Sequence, residues 1–161
     1  MTHRPQVLGR TLVRDARAAM EVCAGWNSRL AARRITKFLD EQMAGGGLSL
    51  AQFGLMAQVA AASDDTLGAL AERMGLDQST LSRNLRGLET AGLVEIASAG
   101  EDLRRRAVWL TDEGARRLEA ALPIWRHAHA ALAKLFDPQL ARRLGAASAG
   151  LAGNEQARGV S

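Results

Sequence analysis

Tyrosine is absent from this 161-residue chain, cysteine occurs once, and prolines and histidines number three each. The lone thiol, Cys23, cannot close an internal disulfide, so the chain is no disulfide-stapled secreted scaffold. No run of 18 apolar residues occurs, which excludes a transmembrane helix. The polar start Met1-Thr2-His3-Arg4-Pro5-Gln6 lacks an apolar signal core, so a cytoplasmic location without membrane contact is expected. His127 and His129 fall about 200° apart on a helix and His3 sits in the polar lead, so no metal site is read. Neither a glycine-rich phosphate loop nor a Ser-His-Asp order is present, and neither an enzyme nor a cofactor is expected.

What is there is basic and ordinary in apolar content: net charge +4, with 47% hydrophobic residues. That length suits one domain with a sizeable core. Of the 21 basic residues only Lys37 and Lys134 are lysines. Arginine suits bidentate contacts to phosphate and guanine, although a GC-rich genome produces the same bias.

Residues 76–92 are the most informative stretch. Leu81, Leu85 and Leu88 recur at helical spacing and predict a short helix with one buried side. Ser79, Arg83, Arg86 and Thr90 then lie opposite, with Ser82 at the edge. That face carries two guanidinium forks and small hydroxyls, with no acid before Glu89, and fits a DNA major groove. A solvated amphipathic helix would show the same pattern, so its neighbours decide. Upstream, Thr66 or Asp65 can cap a helix to Met74, and Gly75 supplies a tight turn. Asp77 or Ser79 can cap the arginine-bearing helix, which completes a helix-turn-helix. Downstream, Leu93–Ile96 and Ala107–Leu110 read as short strands around a polar loop ending in Arg104, Arg105 and Arg106. An arginine-tipped hairpin directly after a helix-turn-helix reads as a wing reaching phosphates or a minor groove.

The fold expected is mainly α with a small β-hairpin wing: a winged helix-turn-helix region over 49–110 and a helical dimerisation region over 10–43 and 111–151. Residues 1–9 and 153–161 are expected to be flexible ends. One long helix to Met43 should carry Val13, Ala16, Met20, Cys23, Trp26, Leu30, Ile35, Phe38 and Leu39 inward. Gly45-Gly46-Gly47 should end it, and Ser49-Leu50-Ala51-Gln52 matches a capping box. After the wing, Thr111 should cap a helix with Leu118, Leu122, Trp125, His129, Leu132 and Phe136 inward, bent at Pro123. Asp137-Pro138 should open a last helix to about Leu151.

This order of elements resembles the MarR family of bacterial transcription regulators, over roughly residues 12–150. Its most specific marks are Asp102-Leu103-Arg104, similar to the family's Asp-x-Arg wing signature, and Leu110-Thr111-Asp112-Glu113-Gly114, similar to its Leu-Thr-x-x-Gly lead into the next helix. Ser79–Arg83 and Leu88–Val94 look like the recognition helix and its exit. The resemblance implies a homodimer binding double-stranded DNA at a pseudo-palindromic operator, usually a repressor released by a small ligand or by oxidation. Ser79, Thr80, Ser82, Arg83 and Arg86 would face the major groove. Arg104, braced by Asp102, would reach the wing's groove, with Arg105 and Arg106 adding charge.

Two triggers stay open. An aromatic or phenolic ligand would sit against Trp26, Phe53, Met56 and Trp125, with Arg29 or Arg33 holding an anion; such residues at helical spacing also make ordinary core. A redox trigger would use Cys23, which falls on an apolar stripe where burial suppresses the thiolate. An alternative of another class is a winged-helix protein-interaction module without DNA binding.

Overall fold

The computed structural model describes residues 9–62, 66–98 and 106–158. Its contacts divide the chain between Phe38 and Leu39 into two compact units.

The first unit holds α1 (Arg10–Val22) and most of α2 (Ala24–Met43). A single helix over this stretch is not what forms. Cys23 adopts extended backbone (φ −68°, ψ 101°) and separates the two. The Asn27 side chain explains how the break is tolerated: its Nδ2 donates to the carbonyls of Glu21 (3.0 Å) and Met20 (3.4 Å), acceptors that the interrupted helix leaves without partners. No residue of α1 is buried. Of the inward stripe expected from the sequence, Ala16, Met20 and Trp26 stand exposed, Val13, Cys23, Leu30, Ile35 and Phe38 are half-buried, and Leu39 is buried; Leu12 and Val22 beside it are exposed too.

The second unit begins with the last turn of α2, where Leu39 and Met43 are buried. A 3₁₀ turn over Ala44–Gly46 follows, and Gly47 closes it with a positive φ. Helix α3 (Leu50–Ala60) starts at a complete capping box, Ser49 Oγ accepting from Gln52 N while Gln52 Oε1 accepts from Ser49 N. Asp40 Oδ1 takes the Leu50 N–H at 2.7 Å, satisfying another helix-start donor. Thr66 caps α4 (Leu67–Met74), Gly75 turns the chain at φ 61°, and Asp77 caps α5 (Gln78–Thr90). A left-handed residue at this turn is where glycine has no Cβ penalty.

Strands β1 (Val94–Ser98) and β2 (Arg106–Leu110) pair antiparallel, with Val94 opposite Leu110 and Ser98 opposite Arg106. Thr66 adds an isolated antiparallel bridge to Ala107, tying the start of α4 to the hairpin. Thr111 caps α6 (Asp112–Ala133), which runs unbroken through Pro123. The stripe of α6 is rotated from the one read in the sequence. Gly114, Leu118, Ala121, Ala128 and Leu132 are buried, whereas Leu122, Trp125, His129 and Phe136 are half-buried. Small side chains at 121 and 128 hold the centre, and the larger ones flank it.

Helix α7 (Pro138–Arg158) starts where expected, Asp137 Oδ1 accepting from Gln139 N. It continues beyond Leu151 to Arg158, through good helix formers such as Glu155, Gln156, Ala157 and Arg158. The expected flexible tail is therefore helical over most of its length. Leu140, Leu144 and Leu151 on α7 are exposed.

Candidate nucleic-acid interface

Helix α5 divides its two faces as the leucine spacing demands. Leu81, Leu85 and Leu88 are buried to 1% exposure or less, while Ser79, Arg83, Arg86 and Thr90 are exposed and Ser82 is half-buried at the edge. The exposed side thus offers two guanidinium groups and small hydroxyls on one rigid helix.

Its first turn is tied together by Asp77. Oδ1 accepts from Thr80 N at 2.8 Å and from Ser79 Oγ at 2.6 Å, and Oδ2 accepts from Thr80 Oγ1 at 2.8 Å. These hydrogen bonds, the one from Ser79 first, hold the Asp77 carboxyl far below the usual carboxylate range. Thr80 Oγ1 in turn accepts from Arg83 Nη2 at 3.1 Å. Thr80 differs here from the expectation that it faces the groove. Half-buried, with its proton donated to Asp77, its hydroxyl serves Arg83 and is not directed as a free donor to solvent.

Arg106, the first residue of β2, is exposed and borders a cleft of about 370 Å³ with Thr66, Leu67, Gly68, Gln78, Leu81 and Ser82. The start of β2, at the loop end of the strand pair, and the start of α5 therefore lie side by side. Gln78 is a residue that the sequence pattern did not single out. It is exposed at the first position of α5, and its amide belongs to the set that reads adenine bidentately. Its position one residue after a capping Asp was the available signal. Asp102, Arg104 and Arg105, the expected wing tip and its brace, lie outside the described residues.

A latch sets α6 against the exit of α5. Thr111 Oγ1 donates to Gly92 O at 2.6 Å and accepts from Gly114 N at 3.0 Å, while Thr111 N donates to Leu93 O at 3.2 Å. One side chain thereby caps a helix and anchors the turn that launches β1. Further along α6, Glu113 pairs with Arg116 and Arg117, and these hydrogen bonds lower its carboxyl pKa.

Of the residues expected to meet an effector, Phe53 and Trp125 come together, stacked with centroids 5.5 Å apart. Trp125 also lies against His129 at 4.3 Å, and burial pushes the His129 imidazole below its ordinary pKa. Met56 is wholly enclosed in the core. Trp26, Arg29 and Arg33 are exposed on α2 in the first unit. Cys23 is half-buried at the α1–α2 break. Among the described residues no three His, Cys, Asp or Glu side chains are grouped to hold a metal ion, and no helix is long and apolar enough to cross a membrane.

A MarR-family sequence profile matches residues 46–105. The transcriptional regulator HosA of Escherichia coli is 38% identical over 77 residues, 48% of this chain and 57% of HosA. The transcriptional repressor YetL of Bacillus subtilis is 32% identical over 93 residues, 56% of each protein. The chain thus spans little more than half the length of the curated relatives it matches. Coverage is wider against the M. tuberculosis transcriptional regulator MosR, solved in complex with DNA: 30% identity, 81% of this chain, 97% of that one, and a TM-score of 0.72. The chain belongs to the MarR family. The MarR-family profile takes in α3, α4, α5 and β1, the segment that holds the two exposed arginines of α5. In MarR-family terms the fold is a winged helix, and α4–Gly75–α5 is its helix-turn-helix.

Proposed function

We propose that this protein is a DNA-binding transcriptional regulator and not an enzyme, acting as a homodimer on a pseudo-palindromic operator. One observation carries the reading: Arg83, Arg86 and Ser79 share the exposed side of a helix whose other side is locked into the core, with Arg106 of the hairpin alongside. A helix so held can enter a major groove without rearranging. Dimerisation is supported by the apolar side chains left exposed on α1 and α7, including Leu12, Val22, Leu140 and Leu144. A second copy would cover them and place two recognition helices about one DNA turn apart.

The sign of regulation proposed is repression, as the name of YetL states for that relative. Release by a small aromatic or phenolic ligand is supported by the half-buried Trp125, whose ring stacks on Phe53 and lies tilted against His129.

Fluorescence anisotropy on random duplex DNA at two salt concentrations tests the core of this reading. Phosphate contacts make affinity fall steeply with salt. Absence of binding, or a flat salt dependence, would leave the winged-helix protein-interaction module as the better description. Selection from a random pool should then return a two-fold symmetric site of about 16–20 base pairs. Adding an aromatic carboxylate such as benzoate to the protein–operator complex tests the trigger, release being the expected result.

A further inference from the structure

The geometry points to Asp77 as the residue that fixes the hydrogen-bond polarity of the DNA-facing helix, by taking both hydroxyl protons of its first turn. Resting on the DNA-binding reading above, this assigns Thr80 as a positioning residue for Arg83. It assigns Ser79 as an acceptor that reads only the exocyclic amino groups of cytosine or adenine.

A serine or threonine hydroxyl has one proton and two lone pairs. An ionised carboxylate is an acceptor alone, so in each contact with Asp77 the hydroxyl must donate. The Ser79 proton is committed to Oδ1 at 2.6 Å, and the Thr80 proton to Oδ2 at 2.8 Å. What remains is lone pairs. One on Thr80 takes Arg83 Nη2 at 3.1 Å, which restrains a guanidinium that is otherwise exposed. Ser79 is exposed, and among the described residues no hydrogen bond uses its lone pairs.

The consequence for recognition is sharp. Phosphate oxygens, guanine N7 and O6, and thymine O4 are acceptors, and none can bond to a hydroxyl whose proton is held elsewhere. Cytosine N4 and adenine N6 carry donors and can. Left free, Ser79 could have bonded to phosphates or to any base. With Asp77 beside it, Ser79 is a selective reader, and Arg83 enters the groove already oriented. Orientation before binding reduces the side-chain ordering that the contact would otherwise require.

The test uses the full chain with five proteins: wild type, Thr80→Val, Thr80→Ser, Asp77→Asn and Ser79→Ala. Asparagine retains an N-cap oxygen, so thermal melting of Asp77→Asn should stay close to wild type. Its Oδ1 would still accept from Ser79 Oγ and Thr80 N, while its amide would donate to Thr80 Oγ1 and so free the Thr80 proton for phosphate or base acceptors, leaving one lone pair for Arg83. Thr80→Val, which removes the Arg83 partner, should reduce the operator-over-random affinity ratio at least about fivefold, the low end for one good base contact. Asp77→Asn should lower the ratio through the freed donor, by strengthening binding to random duplex, and Thr80→Ser should restore the wild-type ratio.

For Ser79 the probe is the operator with single bases lacking an amino group, purine for adenine or pyrimidin-2-one for cytosine. At one base pair that change should weaken wild type and leave Ser79→Ala indifferent. Three outcomes overturn the relay while leaving DNA binding intact: an unchanged ratio in Thr80→Val, an unchanged ratio in Asp77→Asn, or coupling of Ser79 to 7-deaza purines in place of amino-deleted bases. Absence of salt-dependent DNA binding by the wild type overturns the function and the relay together.

Discussion

Gly114, in the first turn of α6, lies so close to Leu93 that a Cβ at 114 would overlap the Leu93 carbonyl oxygen. That same oxygen accepts from Thr111 N, so the approach is part of the latch between the recognition helix's exit and α6. Gly114→Ala should therefore destabilise the protein by about 2 kcal/mol or more, since backbone cannot yield as a flexible side chain can. Chemical denaturation measures it. A variant as stable as wild type would mean that α6 can shift away from Leu93 freely.

Arg83→Ala should weaken operator binding by roughly 1–3 kcal/mol and random-duplex binding much less, because Arg83 lies opposite the buried leucine seam. Equal losses on both DNAs would restrict it to phosphate contact. Arg106→Ala, at the loop end of the strand pair, should instead weaken both alike.

Leu144→Glu should separate the proposed dimer without unfolding the chain. Leu144 is 54% exposed in one copy, so a carboxylate there stays hydrated in the monomer and becomes costly only beneath a partner. Sedimentation at micromolar concentration should show a monomer with unchanged helical circular dichroism. Persistence of the dimer would place its interface elsewhere.

His129 should make stability pH-dependent. Burial against Trp125 lowers its pKa in the folded chain, so the unfolded chain binds the proton more readily. Stability is complete above the unfolded value near 6.5 and declines as pH falls through the folded value. His129→Phe keeps a ring against Trp125 and should flatten the melting temperature of the variant between pH 7.5 and 5.5 relative to wild type. An identical slope in both would assign the pH effect to other groups.

Cys23→Ser distinguishes the two triggers. Wild type should hold its operator in peroxide and release it with an aromatic acid, and the serine variant should behave identically. No second cysteine exists in the chain to resolve an oxidised sulfur. Peroxide release that disappears in Cys23→Ser would make this thiol the trigger.

Local chemistry was legible in the sequence because its partners are neighbours. The Ser49–Gln52 box, the caps at Thr66 and Thr111, and the Leu81–Leu85–Leu88 seam each follow from spacing within about two helical turns. The hairpin's two runs were marked by the change of period.

Tertiary structure decided what depends on rotation, distance or a choice among several partners. Periodicity located a stripe on α6 but not its centre, which falls on Ala121 and Ala128 because the buried line is fixed by what packs against it. The break at Cys23 depends on Asn27 folding back to two free carbonyls, a side-chain alternative that apolar spacing does not register. Arg106 and Gln78, 28 residues apart in the chain, border one cleft because the hairpin folds back beside α5. The sequence by itself determined the caps, the leucine seam and the hairpin, whose causes lie within a few residues; the tertiary structure determined which side of α6 is covered and which distant residues share a surface, since packing partners are chosen by distance in space.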